Sequence, residues 1–297
     1  YSCQSIWFMR QAGRYLPEFR KIRLQNPDFI KLCLNSKLST EITLQPIKRF
    51  NLDSAIIFSD ILLVPYVLGQ NVKFIKNEGP ILNNFDKNKF LSNDEKKYTV
   101  SLDPIYQAIK GTREKLQKDK SLISFVGAPW TLLVYMFGLK KSKNKINLPK
   151  FEKYKKNINI ILKQLTNYLC IHIKNQINAG ADLVQVFDSW AGLLPEEDLE
   201  NLCFNPNLQI VNFCKERKIP IICFPKGIGK NYLNFQNIVK PDGLSIDYEV
   251  DLKWAQKNLN KVTLQGGMHP QFLLKSDEEM YNEAKRHLEI FKNVPYI

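Results

Sequence analysis

The stretch Ala179-Gly180-Ala181-Asp182-Leu183-Val184-Gln185-Val186-Phe187-Asp188-Ser189 decides the fold. Before it, Phe151 to Ala179 carries apolar side chains at helical spacing, and Ala179-Gly180 is a helix stop, since glycine enters the left-handed conformation without a steric penalty. After the stop, Asp182 to Ser189 is a short β-branched run that ends in polar residues. The same helix-to-strand pattern recurs around Ser54 to Asp60, Leu122 to Ala128, Pro220 to Lys226, Gly243 to Asp247 and Val262 to Gly267. Alternation of this kind predicts an α/β protein with parallel strands and crossover helices. No strand leads into a G-x-G-x-x-G phosphate loop, so a TIM-type (β/α)8 barrel fits better than a doubly wound sheet. Barrel chemistry sits at the carboxyl ends of the strands, where the pattern puts Asp60, Pro129-Trp130, Asp188-Ser189, Lys226-Gly227, Asp247 and Gly266-Gly267.

Composition sets the bounds on this reading. The 297 residues are 44% hydrophobic, with no Pro/Ser/Gly-rich linker and no internal repeat, so residues 1–297 are expected to form a single barrel domain. The net charge of +14 raises a nucleic-acid or membrane-surface partner, but the lysines are mixed with asparagine, as in Lys140-Lys141-Ser142-Lys143-Asn144-Lys145. Such runs read as solvated faces, no base-reading motif accompanies them, and no nucleic-acid partner is expected. Cysteines at 3, 33, 170, 203, 214 and 223 make no C-x-x-C pair and no secretory apolar segment precedes them, the pattern of reduced thiols. No apolar run is long enough to span a bilayer. The expected location is cytoplasmic, or a plastid-type organelle if a targeting peptide has been trimmed ahead of Tyr1.

The segment Trp7-Phe8-Met9-Arg10-Gln11-Ala12-Gly13-Arg14-Tyr15-Leu16-Pro17-Glu18-Phe19-Arg20 sets three arginines in an aromatic frame. A guanidinium matches carboxylate oxygens two at a time and never loses its charge, so the cluster suits a polyanionic small molecule. Pro17-Glu18 reads as a helix start, which leaves Arg10 to Arg14 in the preceding loop. Asp60 closes an apolar strand ahead of Ile61-Leu62-Leu63-Val64; it reads either as a helix N-cap or as a buried carboxylate poised against a cation or an N–H group. Ser189 resembles a nucleophile, yet of the three histidines His172 and His287 fall within helical patterns and none is placed to activate it, so a hydrogen-bonding role is preferred. Lys226 reads as a Schiff-base lysine or as a solvated loop residue.

Three stretches carry a resemblance: Trp7 to Arg20, Ile56-Ile57-Phe58-Ser59-Asp60-Ile61-Leu62, and Phe125-Val126-Gly127-Ala128-Pro129-Trp130-Thr131-Leu132. In this order they resemble the uroporphyrinogen decarboxylase family, and the similarity runs with interruptions from Ser5 to Ile297. The resemblance implies a barrel, a homodimer, and removal of the four acetate carboxyls of uroporphyrinogen III to give coproporphyrinogen III in haem biosynthesis. Position by position it implies that Arg10, Arg14 and Arg23 contact the polycarboxylate tetrapyrrole, with the Ala12 backbone alongside. It puts Asp60 at the centre of the macrocycle and makes Tyr135 and Ser189 substrate contacts. Asp60 and Arg10 are the expected catalytic pair, with no metal and no cofactor. A pyrrole can accept the electrons of the departing carboxylate itself, and no metal-spaced cluster or cofactor loop is legible.

Two departures stand out. The chain has Gln265-Gly266-Gly267-Met268-His269-Pro270 where the family usually has Gln-Gly-Asn-Leu-Asp-Pro, and it ends at Pro295-Tyr296-Ile297 within an apolar strand pattern, ahead of the family's Gly-His-Gly loop. A barrel cut there is expected to leave two unpaired edges and to aggregate or turn over poorly, unlike a chain carried through that loop. The rival enzyme reading is a cobalamin- or thiol-dependent methyltransferase; it needs an H-x-C zinc pair on a strand, and Ile221-Ile222-Cys223 lacks the histidine. A non-enzymatic basic binding module is the third reading, which binding of a porphyrinogen would separate from the first.

Overall fold

The computed structural model describes residues 5–75, 79–140 and 146–297. Its strands are β1 (Ser54–Ile56), β2 (Val72–Ile75), β3 (Gly79–Leu82), β4 (Ser121–Gly127), β5 (Leu183–Asp188), β6 (Ile221–Pro225), β7 (Gly243–Ile246) and β8 (Thr263–Gly266). Six of them form one parallel sheet in the order β1-β4-β5-β6-β7-β8, so each strand lies beside the next along the chain. Helices cross over between them, as a right-handed succession of βαβ units requires. The registers Val184↔Ile221 and Leu244↔Leu264 align the strand ends, which brings every following loop to one rim. All six strands predicted from the sequence are present, shortened by a residue or more at their polar ends.

Beyond β8, the Leu264 N–H donates to the Pro295 carbonyl at 2.9 Å and the Ile297 N–H to the Leu264 carbonyl at 2.9 Å. Tyr296 thus forms a parallel bridge with Leu264, and the apolar pattern at the chain end does extend the sheet. At the other edge the Gln11 side chain stands in for a strand: its Nε2 donates to the Ser54 carbonyl at 2.6 Å, and the Ile56 N–H donates to its Oε1 at 3.3 Å. Gln11 is 2% exposed, so these bonds form away from water and satisfy backbone groups that burial would otherwise leave unpaired. The Asp53 N–H also bonds the Ile6 carbonyl, drawing the N-terminal segment along the open edge.

Inside the curl, Gln265 Nε2 donates to Ser245 Oγ at 2.7 Å and Gln185 Nε2 to the same oxygen at 3.2 Å. Trp7 Nε1 then reaches Gln265 Oε1 at 3.2 Å, which ties the N-terminal segment to β8 across the interior. Outward-facing partners such as Val184, Val186 and Leu264 pack under the helices. Helix Ile158–Asn178 buries Ile161, Leu165, Leu169 and Ile173 on one stripe, each contributing about 1.5–3 kcal/mol of transfer free energy.

Two differences from the sequence reading have local causes. Phe151 to Ala179 is not one helix: Leu148–Lys155 and Ile158–Asn178 are separated by a turn closed from the Asn157 N–H to the Tyr154 carbonyl. The break lets Tyr154 stack on Phe137 at 4.1 Å while Phe151 meets Trp130 edge-on at 5.8 Å. The β2–β3 hairpin has no strand signal because most of its side chains are exposed or half-buried, so no inside-outside alternation is written into it. Residues 141–145 of the lysine-rich run, and Cys3, lie outside the described residues. The remaining five cysteines are free thiols. Among the described residues no helix is long and apolar enough to cross a membrane.

Candidate active site

The loop from Arg10 to Leu16 precedes helix Pro17–Gln25, as Pro17 at the first helical turn requires. Its shape is fixed from within. The Leu16 N–H bonds the Gly13 carbonyl at 3.0 Å, the Tyr15 hydroxyl donates to the Gln11 carbonyl, and Gln11 is pinned to β1. Arg20 Nη1 donates to the Arg14 carbonyl at 2.8 Å and to the Tyr15 carbonyl at 3.2 Å. Arg10 and Arg14 are left exposed, and among the described residues neither guanidinium makes an ion pair. Arg23 is half-buried; it lies 5.6 Å over the Phe29 ring and donates to the Asn26 carbonyl.

Asp60 sits half-buried just beyond β1. Its Oδ1 accepts from the Leu62 N–H at 2.8 Å, and its carbonyl accepts from the Leu63 N–H at 3.2 Å, so the residue does start the turn into helix Leu63–Val67. That one bond leaves its other carboxylate oxygen without a protein donor among the described residues. Burial pushes its carboxyl up to about 6, against the Leu62 N–H and the Arg10 charge, which both pull it down. The N-cap of that helix is Leu62, with no side-chain cap, so Asp60 closes the turn ahead of the helix instead of capping it, and one oxygen is left for another partner.

Tyr135 lies on helix Pro129–Met136, half-buried and edge-on to Trp190 at 6.0 Å. Burial raises its hydroxyl pKa, with the Asp60 charge adding to the rise and Arg10 opposing it, which places all three groups within electrostatic reach. Ser189 directly follows β5 and is half-buried. Its neighbour Asp188, 1% exposed, accepts from Thr131 Oγ1 at 2.6 Å, Cys203 Sγ at 3.2 Å and Asn207 Nδ2 at 3.3 Å. Thr131 Oγ1 in turn accepts from the Trp190 N–H at 3.1 Å, so the buried network fixes the Ser189-Trp190 turn to the helix that carries Tyr135. Burial still raises the Asp188 carboxyl pKa in spite of these donors.

Thus Asp60 follows β1, Ser189 follows β5 and Tyr135 lies on the helix after β4, with Arg10 close enough to act on the Asp60 and Tyr135 charges, while Arg23 packs over Phe29, which meets Phe58 edge-on at 5.9 Å. A separate cleft of about 550 Å³ on the flank of helix Leu63–Val67, lined by Pro65, Gln70, Asn83 and Met136 among others, includes none of them. His172 is buried against Tyr106, whose hydroxyl is 3.0 Å from His172 Nδ1, and desolvation lowers its pKa to about 3. It is a core residue, as its place in a helical pattern implied. Among the described residues no three His, Cys, Asp or Glu side chains gather closely enough to hold a metal ion.

A family model for uroporphyrinogen decarboxylase matches residues 3–297. The chain belongs to this family. Relatives named uroporphyrinogen decarboxylase include those of Orientia tsutsugamushi strain Ikeda, 42% identical over 94% of this chain and 82% of that protein, and of Wolbachia pipientis wMel, 40% identical over 98% and 86%. The Jannaschia sp. relative of the same name is 38% identical over 98% of the chain and 87% of its own length. Among solved structures, a methyltransferase from Methanosarcina mazei superposes with a TM-score of 0.69 at 16% identity, covering 89% of this chain and 78% of that one. At that identity the likeness speaks to the shared TIM-type fold alone.

Within the uroporphyrinogen decarboxylase frame, two features escaped the sequence reading. Arg20 reads as a generic helix charge, but its side chain clamps the carbonyls of the arginine loop; a stretch with arginine six residues after Arg14 at a helix start was the available signal. The Asp188 network also went unread, because its partners Thr131, Cys203 and Asn207 come from three other elements and carry no spacing in common. A π-helical turn at Glu200–Phe204 aims Cys203 and Asn207 at the same oxygen.

Proposed function

We propose that the chain removes the four acetate carboxyls of uroporphyrinogen III, giving coproporphyrinogen III and carbon dioxide, as a carboxy-lyase of haem biosynthesis. The observation that carries the site assignment is Asp60: a desolvated carboxylate at the barrel rim, with one oxygen uncommitted, facing an arginine loop. The pyrrole N–H groups of a porphyrinogen converge on its centre, and an uncommitted carboxylate oxygen in poorly hydrated surroundings is a strong acceptor for them.

In this mechanism Arg10, Arg14 and Arg23 hold and orient side-chain carboxylates, with the Ala12 backbone beside them. Tyr135 and Ser189 donate hydrogen bonds to substrate carboxylates. Protonation of the ring carbon beside an acetate arm makes an iminium-like cation, which the ionised Asp60 stabilises. The carboxylate then leaves as carbon dioxide, and its bonding electrons form an exocyclic methylene. A proton adds to that methylene to make a methyl group, and loss of the ring proton restores the aromatic pyrrole. Each acetate therefore consumes one proton net, and the ring is its own electron sink. Asp60 and Arg10 are the catalytic residues of this proposal; no metal and no cofactor takes part.

The active form is a homodimer in this reading. Residence in the cytoplasm or a plastid-type organelle fits thiols that are all reduced among the described residues. The test is incubation with uroporphyrinogen III under argon, followed by separation of products by carboxyl number. Successive hepta-, hexa-, penta- and tetracarboxylates support the proposal; an untouched octacarboxylate overturns it.

A further inference from the structure

The proposed substrate carries carboxylates around its whole periphery, yet Arg10, Asp60, Tyr135 and Ser189 all belong to the β1, β4 and β5 arc of the rim. The opposite arc, built by the loops after β6, β7 and β8, brings three side chains together. Lys226 directly follows β6, and its Nζ lies 6.0 Å from the Tyr248 ring centroid; the Tyr248 ring meets the His269 ring at 4.1 Å. Tyr248 is 40% exposed, so the trio faces solvent at the mouth rather than the core.

The trio is held in place. Buried Asp247 accepts from the Gly227 N–H at 2.8 Å, the Tyr232 hydroxyl at 3.0 Å and the Glu249 N–H at 3.0 Å, which locks the β6 and β7 loops to each other. The Lys226 carbonyl accepts from the Gly192 N–H at 2.9 Å, and the Gly267 N–H bonds the Ile246 carbonyl at 3.1 Å. His269 Nδ1 accepts from the Gln271 N–H at 3.1 Å, which places the ring proton on Nε2 as an outward donor. Lys226 makes no ion pair among the described residues.

We propose that Lys226 and His269, bracketing Tyr248, form a second carboxylate subsite that receives the side-chain carboxylates on the edge of the tetrapyrrole away from the arginine loop. Lys226 supplies charge, His269 Nε2–H supplies direction, and the Tyr248 face supports the aliphatic stem of the carboxylate arm. The subsite rests on the porphyrinogen reading of the main site. It also gives a use to His269, which stands where the family usually places an aspartate.

The experiment measures binding and turnover separately under argon, with uroporphyrinogen III as probe, for the unaltered chain and for Lys226→Met, Lys226→Arg and His269→Phe. Losing one charge-assisted hydrogen bond should weaken binding about tenfold and raise KM in step, with kcat within about a factor of two. The Lys226→Arg protein should bind nearly as well as the unaltered chain, which a merely structural lysine would not require. Matching thermal midpoints exclude misfolding as the cause. Unchanged affinity in both Lys226→Met and His269→Phe, with decarboxylation intact, overturns the subsite and leaves the main site standing. Lysine-dependent binding without carbon dioxide release supports the subsite and overturns the decarboxylase reading instead.

Discussion

Replacing Asp60 by Asn should make the protein more stable and the enzyme much worse. The rise of the Asp60 carboxyl from 3.8 to about 6 corresponds to about 3 kcal/mol of preference for the protonated form in the folded protein. Because the folded value lies above the unfolded one, the penalty is absent below about pH 4, grows between pH 4 and 6, and is complete above pH 6. Asn keeps the Oδ1 acceptor for the Leu62 N–H and carries no charge, so Asp60→Asn should gain up to about 3 kcal/mol at pH 7.5 and nothing at pH 3.5. Turnover should fall about a hundred- to a thousandfold, the effect of losing one preorganised electrostatic contact to a developing charge. Urea denaturation at the two pH values measures the first quantity and anaerobic turnover the second. In addition, kcat/KM of the unaltered enzyme should drop as pH falls through about 6, and that limb should vanish in the residual activity of the Asn protein. A folded Asp60→Asn protein that is less stable at pH 7.5 and turns over normally would exclude both the burial penalty and the catalytic role of Asp60.

Further outcomes follow from the same geometry. Arg14→Lys should weaken substrate binding more than Lys141→Met, since an ammonium cannot reproduce the guanidinium fork; affinities measured across a salt series check this, and dominance of the lysine run would show the loop to be misassigned. Arg20→Ala should raise KM by about fivefold while leaving stability nearly unchanged, because two exposed bonds to the Arg14 and Tyr15 carbonyls are lost; kinetics beside a thermal midpoint separate that from unfolding. Gly192→Ala places a methyl 2.6 Å from the Gly227 carbonyl oxygen, backbone against backbone, and should cost about 1–3 kcal/mol in chemical denaturation.

Much of the fold was legible because each barrel strand is a short apolar run with polar ends, and β5 with its preceding Gly180 shows the pattern most plainly. The candidate site positions were legible for the same reason: a polar residue just past the carboxyl end of a buried strand is conspicuous, as Asp60 and Ser189 are. What stayed hidden was non-local. Gln11 serves as a surrogate strand edge through bonds to Ser54 and Ile56, and nothing at position 11 announces partners so distant in sequence. The split at Asn157 depends on where Tyr154 can stack, and the hairpin Val72–Leu82 lacks a buried face to leave a period. The Lys226, Tyr248 and His269 trio comes from three separate loops, so only the pairing of β6, β7 and β8 side by side brings it into being.

In the proposed reaction the porphyrinogen is its own electron sink. This is tested most directly by dialysing the enzyme against chelator and incubating it under argon with uroporphyrinogen III in deuterium oxide, with no coenzyme added. Four molecules of carbon dioxide per tetrapyrrole and one solvent deuterium in each new methyl group are expected. A requirement for zinc or another added cofactor, or methyl groups formed without solvent deuterium, would contradict that reaction.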